Sequence, residues 1–278
     1  MGSDICLGYL GPKGTFSEIA AHKYSQGKGW QLVECSSLED IVSGVDSGML
    51  DKGIVPVENS TEGSVGIVYD LLARHCDLAI EGEIIVPVVH SLLARSKIST
   101  ERIEKVFSHP QALAQCRNFL RKNLPHACWQ ECASTAAAAV LVAKSKQSWA
   151  ALAPASAAVV YGLDVLIPQA NDYPNNMTRF FAIGREQLPV KGSRCKTSLV
   201  FGIYDRPGAL YLVLREFALR GINLTRIESR PAKNKLGEYI FFLDFHGSTA
   251  DPVVQDLVGD LSKITTYFKL LGSYPAAE

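Results

Sequence analysis

The chain has 278 residues, 47% of them hydrophobic, which is enough for one large domain and a smaller one with packed cores. Lysine plus arginine equals aspartate plus glutamate at 28 each, so no net field recruits nucleic acid or an anionic membrane, and any anion must be bound locally. Seven cysteines without a CxxC pair, behind an N-terminus with no apolar leader, argue for reduced thiols and a cytoplasmic protein, and no apolar run approaches the roughly 20 residues of a membrane span.

From the N-terminus, short apolar runs alternate with helical patterns. ICLGYLG precedes the segment after Thr15, QLVEC precedes SLEDIVSGVDSG, and GIVPVEN precedes a segment through Tyr69 to Ala73. The run GEIIVPVVHSLLARS, residues 82–96, is extended, lacks a helical period and contains Pro87. KVFSH then precedes PQALAQCRNFLRKNL, ACWQEC precedes STAAAAVLVAKS, and WAALAP precedes ASAAVVYG. Strand followed by helix, repeated, predicts an α/β domain with a mostly parallel sheet. The 82–96 run is expected to cross between two lobes that flank a cleft, with the strand FFAIG returning to the first lobe. His126, Cys128 and Cys132 lack a fourth ligand, so no metal site is expected.

After Gly184 the polar stretch REQLPVKGSRCKTS, with Pro189 and Gly192, reads as a linker. TSLVFGIY then alternates as a strand, GALYLVLREFALR is an amphipathic helix ended by Gly221, and NLTRIESRP and EYIFFLDFH are strands around the turn-like KNKLG. DPVVQDLVGDLSKI opens with Asp251 as N-cap and Pro252 at the first helical position, and TYFKLLG closes as a strand. The order βαββαβ predicts a ferredoxin-like unit, a type that often pairs edges or helices across a dimer.

Four polar clusters fall where a strand ends and a helix begins: GPKGTFSE (11–18), ENSTEG (58–63), SHPQ (108–111) and STAA (134–137). In an open parallel sheet these turns gather at the carboxyl ends of the strands, where helix N-termini offer free amides to anions. Thr15 with Glu18, Ser108 with Gln111, and Ser134 or Thr135 also fit helix caps. Caps do not account for Asn59, Ser60 and Thr61, which have no strong helical run immediately behind them, nor for PNNMTR, where Asn175, Asn176, Thr178 and Arg179 precede a strand. A ligand cleft accounts for both. HExxH, paired carboxylates at a shared turn, GxSxG and a P-loop are absent from the sequence, so hydroxyls and amides are left to build the site. His109 beside Ser108 is either a base or a capping residue.

GPKGTFSEIAA, VPVENSTEGSV, FSHPQALAQC and NNMTRFFAIG, followed by RPGALYLVLREF and RIESRP, together resemble the prephenate dehydratase family with its C-terminal ACT regulatory domain. The resemblance implies a two-lobed catalytic domain over 1–184, similar to periplasmic-binding-protein architecture and with a second lobe at roughly 83–160. A linker over 185–196 and an ACT domain over 197–278 follow. It implies decarboxylating dehydration of prephenate to phenylpyruvate without metal or organic cofactor. It also implies L-phenylalanine as feedback effector and a homodimer or homotetramer joined through ACT domains. The alternatives are an arogenate dehydratase and a non-catalytic amino-acid-sensing protein; without a helical segment before the first strand, a fused chorismate mutase is not expected. By the same resemblance Thr178 is the proton-donating group, with Asn59, Ser108 and Gln115 beside it in the cleft. Thr15, Ser60, Ser134 and Thr135 are expected to contact substrate, and Arg179 either anchors the pyruvyl carboxylate or pairs internally. Some relatives carry a glutamate before the Ser-Thr pair, where this chain has Ala133. In the second domain the turn Gly208, Ala209 and Leu210 is expected to take the effector carboxylate, Glu228 its ammonium group, and Asn223, Ser229, Arg230 and Pro231 to complete the site.

Overall fold

The computed structural model describes residues 5–74, 77–186, 190, 194–232 and 238–277. Half of the expected linker at 185–196 (residues 187–189 and 191–193), and the whole KNKLG turn, lie outside them.

The first lobe is built from β1 (Cys6–Leu10), α1 (Phe16–Ser25), β2 (Gln31–Cys35), α2 (Leu38–Ser47), β3 (Lys52–Asn59), the short β4 (Gly63–Ser64), α3 (Gly66–Arg74) and β5 (Ala79–Pro87). The second holds β6 (Ser91–Ala94), β7 (Lys105–Ser108), α4 (Pro110–Gln115), α5 (Arg117–Asn123), β8 (Cys128–Glu131), α6 (Thr135–Lys144), β9 (Trp149–Ala153), α7 (Ala155–Tyr161) and β10 (Asp164–Ile167). β11 (Met177–Gly184) then returns to the first sheet, whose order is β2-β1-β3-β11-β5 with β4 on β3; the second sheet runs β10-β6-β9-β7-β8. β1 is parallel to β2 and β3, whereas β11 is antiparallel to both β3 and β5.

The chain therefore crosses between lobes twice, at 88–90 and at 168–176. The expected start of the second lobe at residue 83 falls inside β5, and β10 lies beyond its expected end at 160. The apolar run through 82–94 carries no composition change where it leaves the first sheet; the break follows Pro87, which has no N–H to continue a ladder.

Alternation along β11 explains how the first sheet is buried on both sides. Phe180 and Ala182 pack with Leu7, Tyr9, Ile54 and Ala20 under α1, while Phe181 and Ile183 face α2, α3 and the C-terminal domain. That domain comprises β12 (Cys195–Gly202), α8 (Ala209–Leu219), β13 (Leu224–Pro231), β14 (Tyr239–His246), α9 (Pro252–Ile264) and β15 (Tyr267–Pro275), with sheet order β13-β14-β12-β15. Leu199, Phe201, Leu243 and Phe245 meet its two helices. Val200, Phe242, Leu271 and Tyr274, on the other face, join Tyr69 and Phe181 in a core shared with the first lobe. Gly272 (φ +139°) permits the approach: a Cβ there would stand 2.4 Å from the Ile80 carbonyl oxygen of β5. Among the described residues no helix is long and apolar enough to cross a membrane.

Candidate active site

A cavity of about 270 Å³ lies between the lobes, near the small end of the ~300–1,000 Å³ usual for ligand pockets. The first lobe contributes Leu10, Gly11, Thr15, Phe16, Ser17, Asn59 and Thr178; the crossover contributes Val88 and His90; the second lobe contributes His109, Gln111, Ala112, Gln115, Ala133, Ser134 and Thr135. No lysine, arginine, aspartate or glutamate is in that lining. Ala133 stands there and supplies only a methyl group.

The polar side chains form one directed chain of hydrogen bonds. Asn59 Oδ1 accepts from the amides of Thr61 (3.0 Å) and Glu62 (3.2 Å) and from the Thr61 hydroxyl (2.6 Å). Those donors fix the orientation of the Asn59 amide, so its Nδ2 donates to Thr178 Oγ1 at 2.9 Å. Thr178 Oγ1 is thereby the acceptor of that bond, and its own hydrogen is free to point elsewhere. At the other end Ser60 Oγ accepts from the Met177 amide (3.0 Å) and donates to Asn176 Oδ1 (3.1 Å). Asn176 Nδ2 then donates to Gln115 Oε1 (2.9 Å), and Gln115 Nε2 donates to Thr61 Oγ1 (3.3 Å). Asn59, Gln115 and Asn176 are buried, whereas Ser60 and Thr61 are exposed at the outer side of this chain.

His90 adds to this chain from the crossover, with Nε2 at 3.2 Å from Gln115 Oε1. Because that oxygen is already the acceptor for Asn176, His90 Nε2 carries the ring hydrogen. Nδ1 is left bare and, among the described residues, without a partner. Burial pushes the imidazole down to about 4, only partly offset by the bond to Gln115, so the ring is uncharged at neutral pH. Its neighbour is Phe16, met edge-on with centroids 5.4 Å apart.

Two helices of eight or more residues begin at the cavity from opposite lobes. Thr15 caps α1 by accepting from the Glu18 amide (3.3 Å), and Ser134 caps α6 by accepting from the Ala137 amide (2.9 Å). Capping and cavity lining are thus properties of the same residues, and Phe16, Ser17 and Thr135 bring first-turn amides into the lining.

Several expected residues lie elsewhere. Ser108 is fully buried and donates to the Leu152 carbonyl oxygen at 2.6 Å, tying β7 to β9. It neither lines the cavity nor caps α4; His109 caps that helix, its Nδ1 accepting from the Gln111 amide at 3.3 Å, which places the ring hydrogen on Nε2. The capping box of Ser108 and Gln111 is not formed, and of the two alternatives for His109 the capping one is present. Ser60 supports Asn176 without lining the cavity. Arg179 points away from it, to Asp244 Oδ2 (2.8 Å), Glu83 Oε2 (3.4 Å) and Glu58 Oε2 (3.1 Å). The internal pairing is the one formed, because strand alternation puts residue 179 on the face opposite Thr178. A helix, α3, also begins at Gly66, soon after ENSTEG, yet Asn59 serves its own turn rather than that helix.

The expected effector residues divide between the two faces of the C-terminal sheet. Gly208, in a left-handed conformation (φ +82°), is the N-cap of α8, with Ala209 and Leu210 in its first turn and no side-chain cap bond. Ser229 pairs with Phe241 on the helix side, and Ser229 and Pro231 are exposed. Glu228 and Arg230 instead face the first lobe: Glu228 meets Ser64 and Arg226, and Arg230 meets Asp70 at 3.0 Å. Asn223 Nδ2 is 3.5 Å from His246 Nδ1. Thr61 and Asn176 are marked in the sequence only as members of their polar clusters, without a role of their own, and His90 is not marked as a site member: a lone histidine in an extended run is its only sign.

Residues 7–188 match the family model described as prephenate dehydratase, and residues 197–266 match that of the ACT domain. A prephenate dehydratase of Methanocaldococcus jannaschii is 42% identical over 275 residues, covering 96% of this chain and 97% of that protein. A bifunctional chorismate mutase/prephenate dehydratase of Aquifex aeolicus is 42% identical over 273 residues, covering 98% of this chain and 74% of its own length. Among solved structures, prephenate dehydratase from Arthrobacter aurescens in complex with L-Phe aligns with a TM-score of 0.90 at 36% identity, covering 98% of this chain and 90% of that one.

Proposed function

The chain belongs to the prephenate dehydratase family, and on that premise we propose that the cavity between the lobes holds prephenate, with Thr178 as the donor to its leaving hydroxyl. The reaction breaks the bond from the ring to its carboxylate; that electron pair enters the ring and expels the hydroxyl, which leaves as water after gaining one proton. Carbon dioxide and phenylpyruvate are the other products. A threonine hydroxyl is too weak an acid to give up its proton unaided. Its part is a hydrogen bond that strengthens as charge develops on the departing oxygen, with solvent supplying the proton.

The observation that carries this reading is the Asn59 to Thr178 bond of 2.9 Å, whose direction leaves the threonine hydrogen available to the cavity. The absence of cationic side chains from the lining supports it further: a ring carboxylate without a charge partner is not held back from decarboxylation. The pyruvyl carboxylate suits the first-turn amides of α1 and α6. Arg179, engaged elsewhere, is not needed for it.

In the same reading L-phenylalanine binds at the start of α8, where no side chain caps the turn of Gly208, Ala209 and Leu210, although the Ala209 amide already donates to the Arg206 carbonyl oxygen at 3.2 Å. A second copy completes the site. Exposed Tyr211, Leu219 and Ile227 are the apolar groups that such pairing would cover.

Steady-state formation of phenylpyruvate from prephenate, with arogenate as a parallel substrate, tests the assignment. Turnover of prephenate by the wild-type chain, greatly reduced in Thr178→Ala, is the expected result. No turnover of prephenate, or an undiminished rate in the variant, overturns it.

A further inference from the structure

The residue after Thr178 leads out of the cavity and into the C-terminal domain. β3 and β11 pair Thr178 with Asn59 and, one step on, Arg179 with Glu58. Successive strand residues point to opposite faces, so the first pair addresses the cleft and the second the C-terminal sheet. The Arg179 side chain is 11% exposed; its guanidinium carbon lies 5.0 Å from the centroid of the Phe181 ring. Nη1 is bonded to Asp244 Oδ2 of β14 at 2.8 Å. Asp244, with a side chain 3% exposed, is itself held by Ser198 Oγ at 2.6 Å, and Ser198 meets the Tyr274 hydroxyl at 2.7 Å. Every group beyond Arg179 in this series belongs to the C-terminal domain.

The guanidinium is not saturated. Nε is 3.1 Å from Glu58 Oε2 but is not aligned for a hydrogen bond, and Nη2 has no hydrogen-bond partner among the described residues. Three carboxylates thus surround one cation, with Asp244 its shortest contact and Glu83 shared with Lys196 at 2.7 Å. A planar fork with two unused buried donors has another arrangement within reach, in which it turns towards Glu58 and Glu83. Arg226, 3.7 Å from Glu58, and Arg230, paired with Asp70, anchor β13 on the same face, so displacement of the C-terminal sheet is felt at Glu58 as well.

We propose that Arg179 is a positioning residue for the dehydration: through Asp244 it ties the placement of the C-terminal sheet to the geometry of Thr178 and Asn59 on the reverse side of the same strand pair. This rests on the reading of Thr178 as the donor. A misplacement of about 1 Å at a reacting group can cost on the order of 10²-fold in rate, which gives a small shift of β11 a large effect.

A double-mutant cycle in the full chain tests it, with Arg179→Gln, Asp244→Asn and the pair assayed on prephenate. Each single substitution is expected to lower kcat by about tenfold with KM held within about threefold, and the double variant to be no slower than the slower single one. Both substitutions are also expected to blunt inhibition by L-phenylalanine, a readout that a merely structural role would not move. Should Arg179→Gln fail to fold, Arg179→Lys, which keeps the charge but loses the fork, carries the test with the same expected fall in kcat. Wild-type turnover accompanied by singles within about twofold of it, or by losses that multiply in the double variant, overturns the inference and leaves the site reading intact. A wild-type chain that forms no phenylpyruvate overturns both.

Discussion

Asn59 and Thr178, 119 residues apart in sequence, face each other across the β3 and β11 ladder, and the asparagine amide donates to the threonine oxygen at 2.9 Å. A hydroxyl that must accept from one side can donate only to the other. Removing it in Thr178→Ala is expected to lower kcat by about 10²- to 10⁴-fold, the span of one acid or base group. The fold loses little, since Asn59 keeps its bonds to the 61 and 62 amides. Thr178→Ser restores the donor and should recover most of the rate. Steady-state kinetics beside thermal melts decide the matter: equal losses in the alanine and serine variants would deny the hydroxyl its role.

The direction of that bond can be reversed by a single substitution. In Asn59→Asp the carboxylate still accepts from the Thr61 and Glu62 amides, but it has no hydrogen to give, so Thr178 must donate to it and turn its hydrogen away from the cavity. Asn59→Ala leaves the hydroxyl unguided but uncommitted. The expected order of kcat is wild type, then alanine, then aspartate. An aspartate variant as fast as the alanine one would show that the polarity of the pair is immaterial.

Much of this arrangement is legible in the sequence, and its omissions have physical causes. Thr15, Asn59, Gln115, Ser134, Thr135 and Thr178 all line one cavity because strand-to-helix turns collect at one edge of an open sheet. Ser108 and Arg179 sit beside lining residues in sequence yet point elsewhere; strand alternation and the competition between Ser108 and His109 for one helix end decide their directions, and a motif does not carry that information. Glu228 and Arg230 are expected at the effector site from the resemblance, but they face the first lobe, because β13 lies against α3 and β4 in a contact that no local pattern announces. His90 is invisible for a different reason: an imidazole after an apolar run reads as packing until Gln115 is known to meet it.

His90 also makes stability depend on pH. Its ring is held down to about 4 by burial, against ~6.5 in an unfolded chain, so between these values the unfolded state binds more protons than the folded one. The contribution is fully present above pH 6.5 and is lost as pH falls towards 4. At its limit the difference corresponds to about 3 kcal/mol. Chemical denaturation at pH 7 and pH 4.5 should therefore show a smaller acid loss in His90→Gln than in the wild type. Equal losses would mean that the imidazole is reached by water and charges freely.

Gly272 governs the union of the two domains. Its φ of +139° is a conformation that side chains rarely adopt, and an added Cβ would meet the Ile80 oxygen at 2.4 Å and the Ile80 nitrogen at 3.1 Å. Both obstacles are backbone of β5, the strand that pairs with β11, so neither can swing aside as a flexible side chain would. Gly272→Ala is expected to cost more than about 2 kcal/mol, at the upper end for a single methyl group, because it adds backbone strain to overpacking. Relief comes only by moving β15 off β5, which withdraws Tyr274 and Leu271 from the shared core and Asp244 from Arg179. Urea denaturation and the rate on prephenate should therefore decline together, whereas a variant that melts earlier but keeps its full rate would separate domain contact from catalysis.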